Sequence, residues 1–269
     1  MTERRQLQPD LGIMAQTERY VKTKQELEHL LFYLRDTRVR ADLEAFERKT
    51  ARYGDNGVLL VYACHKVPYQ QMWIHYMDII DLLQFEDECP DLLQACMDEH
   101  ARIMYEQMEI VSRCVRSYPV DAVEFPDNLV SSMVGPERYD RYCLPFYRRM
   151  LDILAGTGVP LGTHSDGNLR GIYDNIAKTG FGFLESFSPP PDNDTPVAEA
   201  LRMWPDMRLF VNFPSSVHLC DEETIAETAR DILCQLDGRG WIQVSESLPP
   251  NRWKEAFPVL IKAIEGFRR

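Results

Sequence analysis

The sequence predicts an α/β fold, a (β/α) barrel of the TIM type that is incomplete at its N-terminus. Three observations lead to it. Short apolar segments alternate with helix-length amphipathic ones, the pattern of a parallel sheet covered by helices. Most of the apolar segments turn polar at their C-terminal ends, so that Glu124, His164, Asp166, Glu185, Asn212 and Glu246 would share one rim, the side on which such barrels carry their sites. Only six segments qualify as strands, fewer than the eight a closed barrel needs.

The first strong element is helical. Residues 22–50 are charged and helix-favouring, with Leu27, Leu30, Leu31 and Leu34 on one stripe, and read as one or two helices. Ahead of them, residues 1–20 look irregular, with Asp10–Gln16 a weak candidate for a further strand. Gly57–Ala63 is an apolar strand after the turn Gly54-Asp55-Asn56. A long helical region fills 70–116, interrupted near Cys89-Pro90 because proline suits a helix start. Asp121–Phe125 is the next strand, followed by a helix over 136–156. Strands near 160–165, 182–187, 208–213 and 240–246 then alternate with helices near 169–178, 195–203, 221–236 and 251–267. With no repeat, low-complexity tract or linker, residues 1–269 read as one domain.

Bulk properties narrow the function. The net charge of −12 opposes a general nucleic-acid or anionic-membrane binder by self-repulsion. No run of 18 apolar residues and no signal-peptide pattern is found. Seven cysteines, scattered and never in a CxxC pair, fit reduced thiols in the cytoplasm better than a disulfide framework.

The chemistry concentrates in Pro160–Asn168. His164 and Asp166 are two residues apart, so in extended chain they point to one face, and the acidic strand end at Glu246 could add a third donor. One nitrogen and two oxygens at strand ends suit a divalent metal. Taken alone His164 reads as a hydrogen-bonded core histidine; with Asp166 and Glu246 the metal reading gains the upper hand. Asn168 is better placed than Asp166 to cap the helix that starts near Leu169. Glu185 could be a fourth ligand, a partner for His164 or a general base. Glu124 invites the same question, and His65, ending its strand, either faces the rim or sits on a surface loop. Asp127, Asn128, Arg170 and Asn212 are the candidates for holding substrate, although Asp127 could simply stabilise its turn and Arg170 could be solvent-exposed. His218 and Cys220 have ligand-like spacing but read as a loop away from the metal.

The run Gly135-Pro136-Glu137-Arg138-Tyr139 through Arg149, the strand Val159–Asn168 and the end Ile242–Pro250 together resemble the uroporphyrinogen decarboxylase superfamily, nearest its corrinoid-dependent methyltransferase branch. The resemblance spans roughly 15–269 and implies a fifth strand at Val159–Asn168 and an eighth at Ile242–Pro250. In that branch the fifth strand carries a His-x-Cys-Gly zinc motif and the eighth a further cysteine. This chain has Asp166 and Glu246 at those places, so the implied ligand set is His164, Asp166 and Glu246, harder donors of the same total charge. Counterparts of the family's first two strands, and of the arginine-rich motif with which the decarboxylases hold carboxylates, are absent.

The resemblance implies Zn²⁺ or another divalent metal, a corrinoid on a partner protein, and a small-molecule methyl donor. Carboxylate ligands leave the metal a stronger Lewis acid than thiolates do, which favours an ether or amine donor over thiol methylation. A metal-assisted decarboxylase or lyase of a small acid, and an inactive homologue, are the alternatives. The missing strands predict an open barrel or a homodimer, the gap being covered by a neighbour or by residues 1–20, unless the true start lies upstream.

Overall fold

The computed structural model describes residues 1–54, 57–62, 65–244 and 252–267. The chain divides into two compact units: Met1–Leu59 with Ala63–Pro119 and Asp152–Thr157, and Leu60–Tyr62 with Val120–Leu151 and Gly158–Arg269.

The first unit opens with strands β1 (Arg4–Gln8) and β2 (Ile13–Glu18), which pair antiparallel as a separate two-stranded sheet. The Asp10–Gln16 stretch therefore belongs to a hairpin and adds no strand to a barrel. Helices α1 (Lys24–Asp36), α2 (Leu43–Tyr53), α3 (Pro68–Gln71), α4 (Ile79–Glu88) and α5 (Pro90–Cys114) complete the unit. Thr23 caps α1 by accepting from the Glu26 amide, and the apolar stripe Leu27, Leu30 and Leu34 is buried as its spacing predicts. Pro90 starts α5, as expected. A π-helical turn, Met72–Tyr76, separates α3 from α4.

The second unit is a six-stranded, all-parallel sheet in sequential order, β3 (Leu60–Tyr62), β4 (Ala122–Phe125), β5 (Leu161–His164), β6 (Phe183–Phe187), β7 (Arg208–Asn212) and β8 (Gly240–Gln243). Each of the six strands expected from the sequence forms. Helices α6 (Ser131–Arg138), α7 (Leu144–Leu154), α8 (Tyr173–Ala177), α9 (Val197–Met203), α10 (Glu222–Leu236) and α11 (Trp253–Glu265) alternate with strands from β4 onward. The α/β barrel fold is thus present and open: among the described residues β3 and β8 are its two edges. Their exposure agrees, with Tyr62 on β3 and Trp241 on β8 solvent-facing while β4 and β6 are buried throughout.

Aromatic packing holds the sheet. Phe183 stacks on Phe210 with ring centroids 4.8 Å apart, and Phe210 on Trp241 at 3.7 Å. Phe183 can do so because residue 162 is glycine: a Cβ there would sit 2.4 Å from the Phe183 ring. Among the described residues no helix is long and apolar enough to cross a membrane.

Candidate functional site

Parallel strands in sequential order bring their C-terminal ends to one rim, so Glu124, His164, Glu185, Asn212 and Gln243 arise from five neighbouring strands. Register sets who faces whom. The Cα of Glu124 pairs with Gly162, that of His164 with Glu185, and that of Asn212 with Gln243.

His164 is the hub. Its Nδ1 lies 2.7 Å from Glu185 Oε2 and its Nε2 3.5 Å from Asp166 Oδ2. The Glu185 carboxylate is buried and accepts from three donors: the ring of His164, the Ser186 hydroxyl at 3.2 Å and the side-chain amide of Gln243. Gln243 works as a clamp, its Oε1 accepting the Ser186 amide at 3.1 Å while its Nε2 serves Glu185. Ser186 itself has φ 56°, an uncommon conformation for a residue with a side chain. The β6–β7 register shifts between Leu184 and Phe187, around this residue. Asn212 steadies the same turn, donating from Nδ2 to the Ser186 carbonyl and to Ser188 Oγ, both at 3.1 Å.

Asp166 is held from two sides. Asn128 Nδ2 donates to its Oδ1 at 2.6 Å and Asn193 Nδ2 to its carbonyl at 2.7 Å. That leaves Oδ2 turned to His164. The chain can turn just beyond because residue 167 is glycine; a Cβ there would lie 2.0 Å from Val130 Cγ1. The cap at Leu169 comes from elsewhere than the sequence suggested. Asp194 Oδ1 accepts the Leu169 amide at 3.0 Å, while Asn168 Oδ1 accepts the Asp194 amide.

Charge follows geometry. Burial alone would depress the His164 pKa, but hydrogen bonds to Asp166 and Glu185 outweigh it and push it up to about 10. Burial likewise raises Glu185, yet bonds from His164, Gln243 and Ser186 bring it below the ordinary carboxylate range. Asp166 is lowered chiefly by its bond to His164.

Can these groups hold a metal? Two donors about 2.1 Å from one tetrahedral cation stand roughly 3.4 Å apart; His164 Nε2 and Asp166 Oδ2 are 3.5 Å apart. Nδ1 is already committed to a buried carboxylate, the arrangement by which a ligating histidine has its tautomer fixed. The donor set fits a divalent cation. Glu124 also belongs here, since Glu124, His164 and Glu185 each offer a ligand atom within 4.8 Å of the others. Glu246, expected as a third ligand, lies outside the described residues.

The remaining expected residues make other contacts. Asp127 is buried and its Oδ2 accepts from the Tyr147 hydroxyl at 2.5 Å, inside the unit's packing. Arg170 is exposed, paired with Glu199 at 3.2 Å and donating to the Asp194 carbonyl at 2.9 Å. His65 belongs to the first unit, where its ring meets that of His100 at 5.6 Å. His218 is buried against Phe213 at 4.8 Å and Cys220 is exposed. Sequence reasoning missed Gln243 and Asn193. Gln243 carried a signal, a lone amide between Ile242 and the end of an otherwise apolar strand; Asn193, in a polar loop, carried none.

Residues 75–265 match the family described as uroporphyrinogen decarboxylase (URO-D). A solved methyltransferase from Methanosarcina mazei is similar with a TM-score of 0.66 at 15% identity, covering 94% of this chain and 72% of that one. A glycoside hydrolase family 5 enzyme from Prevotella bryantii B14 gives a TM-score of 0.48 at 10% identity over 93% of this chain and 87% of its own. No curated protein matches. The structural likenesses concern the fold alone, whereas the family match takes in well over half of the chain: it belongs to the uroporphyrinogen decarboxylase (URO-D) family.

Proposed function

We propose that the second unit is a metal-dependent methyltransferase site, moving a methyl group from a small ether or amine donor to a corrinoid carried by a partner protein. The observation that carries this reading is the orientation of His164, anchored at Nδ1 by buried Glu185 and presenting Nε2 beside Asp166. A bound divalent cation would supply Lewis acidity toward the heteroatom bearing the methyl group.

The rest is the work of this chain's own side chains. Nε2 of His164 and Oδ2 of Asp166 are the donors, with Glu246 the third donor on sequence grounds, while Glu124 groups with His164 and Glu185. Glu185 fixes the imidazole ring by accepting a hydrogen bond from its Nδ1–H. Gln243 and Ser186 fix Glu185 in turn. Asn128 and Asn193 hold Asp166 so that one oxygen stays available. With its pKa pushed up to about 10, His164 holds a proton that a cation bound at Nε2 would displace. A substrate group reaching this rim meets His164 and Asp166 first, because their side chains are 24% and 43% exposed while Glu185 is 7% exposed.

The test is spectroscopic. Purified, metal-loaded protein is mixed with cob(I)alamin and a panel of methyl ethers and methylamines. Loss of the cob(I)alamin spectrum with at least one donor supports the proposal; an unchanged spectrum across the panel overturns it. A second reading, metal-assisted decarboxylation of a small acid, draws on the decarboxylase for which the family is named. Carbon dioxide release from a carboxylic acid, without any corrinoid, would select it.

A further inference from the structure

The first unit contains a cavity of about 370 Å³ that the proposed chemistry does not use. Its walls are an unbroken chain of rings. Tyr20 meets His75 at 5.9 Å, His75 meets Tyr76 at 5.1 Å, Tyr76 meets His100 at 6.3 Å, and His100 meets His65 at 5.6 Å. Below the rings lie buried Leu30, Leu34 and Ile103. Exposed Tyr33 and His75 form the rim. We infer that this cavity binds a small, uncharged aromatic molecule carrying one hydrogen-bonding group.

Five observations support the assignment. The volume falls within the range of small-molecule sites, roughly 300–1,000 Å³, and near its lower end, the size of one substituted ring. Ring walls at these spacings favour an aromatic guest by offset or edge contact. His100 is 2% exposed and its Nδ1 has no hydrogen-bond partner among the described residues, a buried polar atom that otherwise costs stability. No Asp, Glu, Lys or Arg side chain is among the described lining residues, which do include Met1, so a charged guest would lose its hydration without a side-chain counter-charge. The neutrality extends to the histidines: burial pushes His100 down to about 3 and also lowers His65 and His75. His75 and Tyr76 lie on the π-helical turn, a backbone form frequent at functional sites.

The experiment is equilibrium binding to the full chain, which needs no turnover and is independent of the metal reading. The probes are 4-methylphenol, toluene, cyclohexanol and benzoate, followed by saturation-transfer NMR and titration. Saturable binding of 4-methylphenol is expected, about tenfold tighter than cyclohexanol or benzoate. His75→Ala and Tyr33→Ala, both at exposed positions, should each weaken it by roughly three- to tenfold with thermal unfolding unchanged. His100→Leu should abolish the preference of about tenfold for 4-methylphenol over toluene. Thermal unfolding of each variant is read first, and the two rim variants decide the outcome if His100→Leu does not fold. Absence of saturation, equal affinity for benzoate or cyclohexanol, or parental binding by both rim variants overturns the inference.

Discussion

His164 and Glu185 are opposed across adjacent parallel strands, and their side chains meet at 2.7 Å between Nδ1 and Oε2. They are 21 residues apart, so the contact exists only because β5 and β6 pair in this register. It directs the other imidazole nitrogen toward Asp166, and that direction is what the metal reading rests on.

Metal content should follow the two donors. Protein purified with Zn²⁺ should hold about one ion per chain, and His164→Ala or Asp166→Ala should lower the affinity by at least about tenfold. Elemental analysis after dialysis against a weak chelator reads this directly. Equal retention by parent and both variants would remove the site.

Glu185 acts through His164, and its replacement should be graded. Glu185→Gln keeps shape and a hydrogen bond but removes the charge, and should cost roughly 10–100-fold in metal affinity. Gln243→Ala, which loosens the clamp on Glu185, should fall between parent and Glu185→Gln. Competitive titration with a chromophoric chelator orders the three; a Gln243→Ala affinity matching the parent would mean the clamp is irrelevant.

Gly167 is a steric requirement of the turn that carries Asp166. Gly167→Ala forces its Cβ into Val130 and should destabilise by roughly 1–3 kcal/mol. Trimming the neighbour, in Gly167→Ala with Val130→Ala, should recover part of that loss relative to the sum of the single changes. Urea unfolding gives all four corners of the cycle, and strict additivity would rule the clash out.

Acid should destabilise the first unit through His100. The unfolded chain takes up this proton near pH 6.5, the folded chain only near 3. The unfolded state therefore binds more protons between those values, and stability, fully present above pH 6.5, falls as the pH is lowered. The slope is about 1.4 kcal/mol per pH unit for one such proton. His100→Leu should flatten the pH dependence of denaturant midpoints between about pH 6 and 4 by this amount, whatever its effect at neutral pH.

Much of the architecture was legible because it depends on local pattern. Apolar runs ending in polar residues place all six parallel strands, and Pro90 and the leucine stripe of α1 sit where composition puts them. His164 and Asp166 were legible as a pair since two residues of extended chain share a face, and their Nε2 and Oδ2 do approach each other. The hairpin of β1 and β2 was missed because residues 4–8 and 13–18 show no clear apolar alternation, so residues 1–20 read as irregular apart from a weak strand at Asp10–Gln16. Asp194 as the cap at Leu169 was missed for a similar reason: it arrives from 25 residues away.

The chain by itself determined the α/β class, the order of strands and the chemical types on the rim, since periodicity and strand-end polarity are properties of neighbouring residues. Tertiary structure alone decided which of those groups touch. Register placed Glu185 opposite His164, the left-handed Ser186 met the Gln243 amide at that carboxylate, and two asparagines from separate loops turned Asp166 toward the ring. The physical reason is that hydrogen bonds and ligand contacts act over about 3 Å between residues far apart in sequence, and only packing of the sheet and its loops fixes distances at that scale.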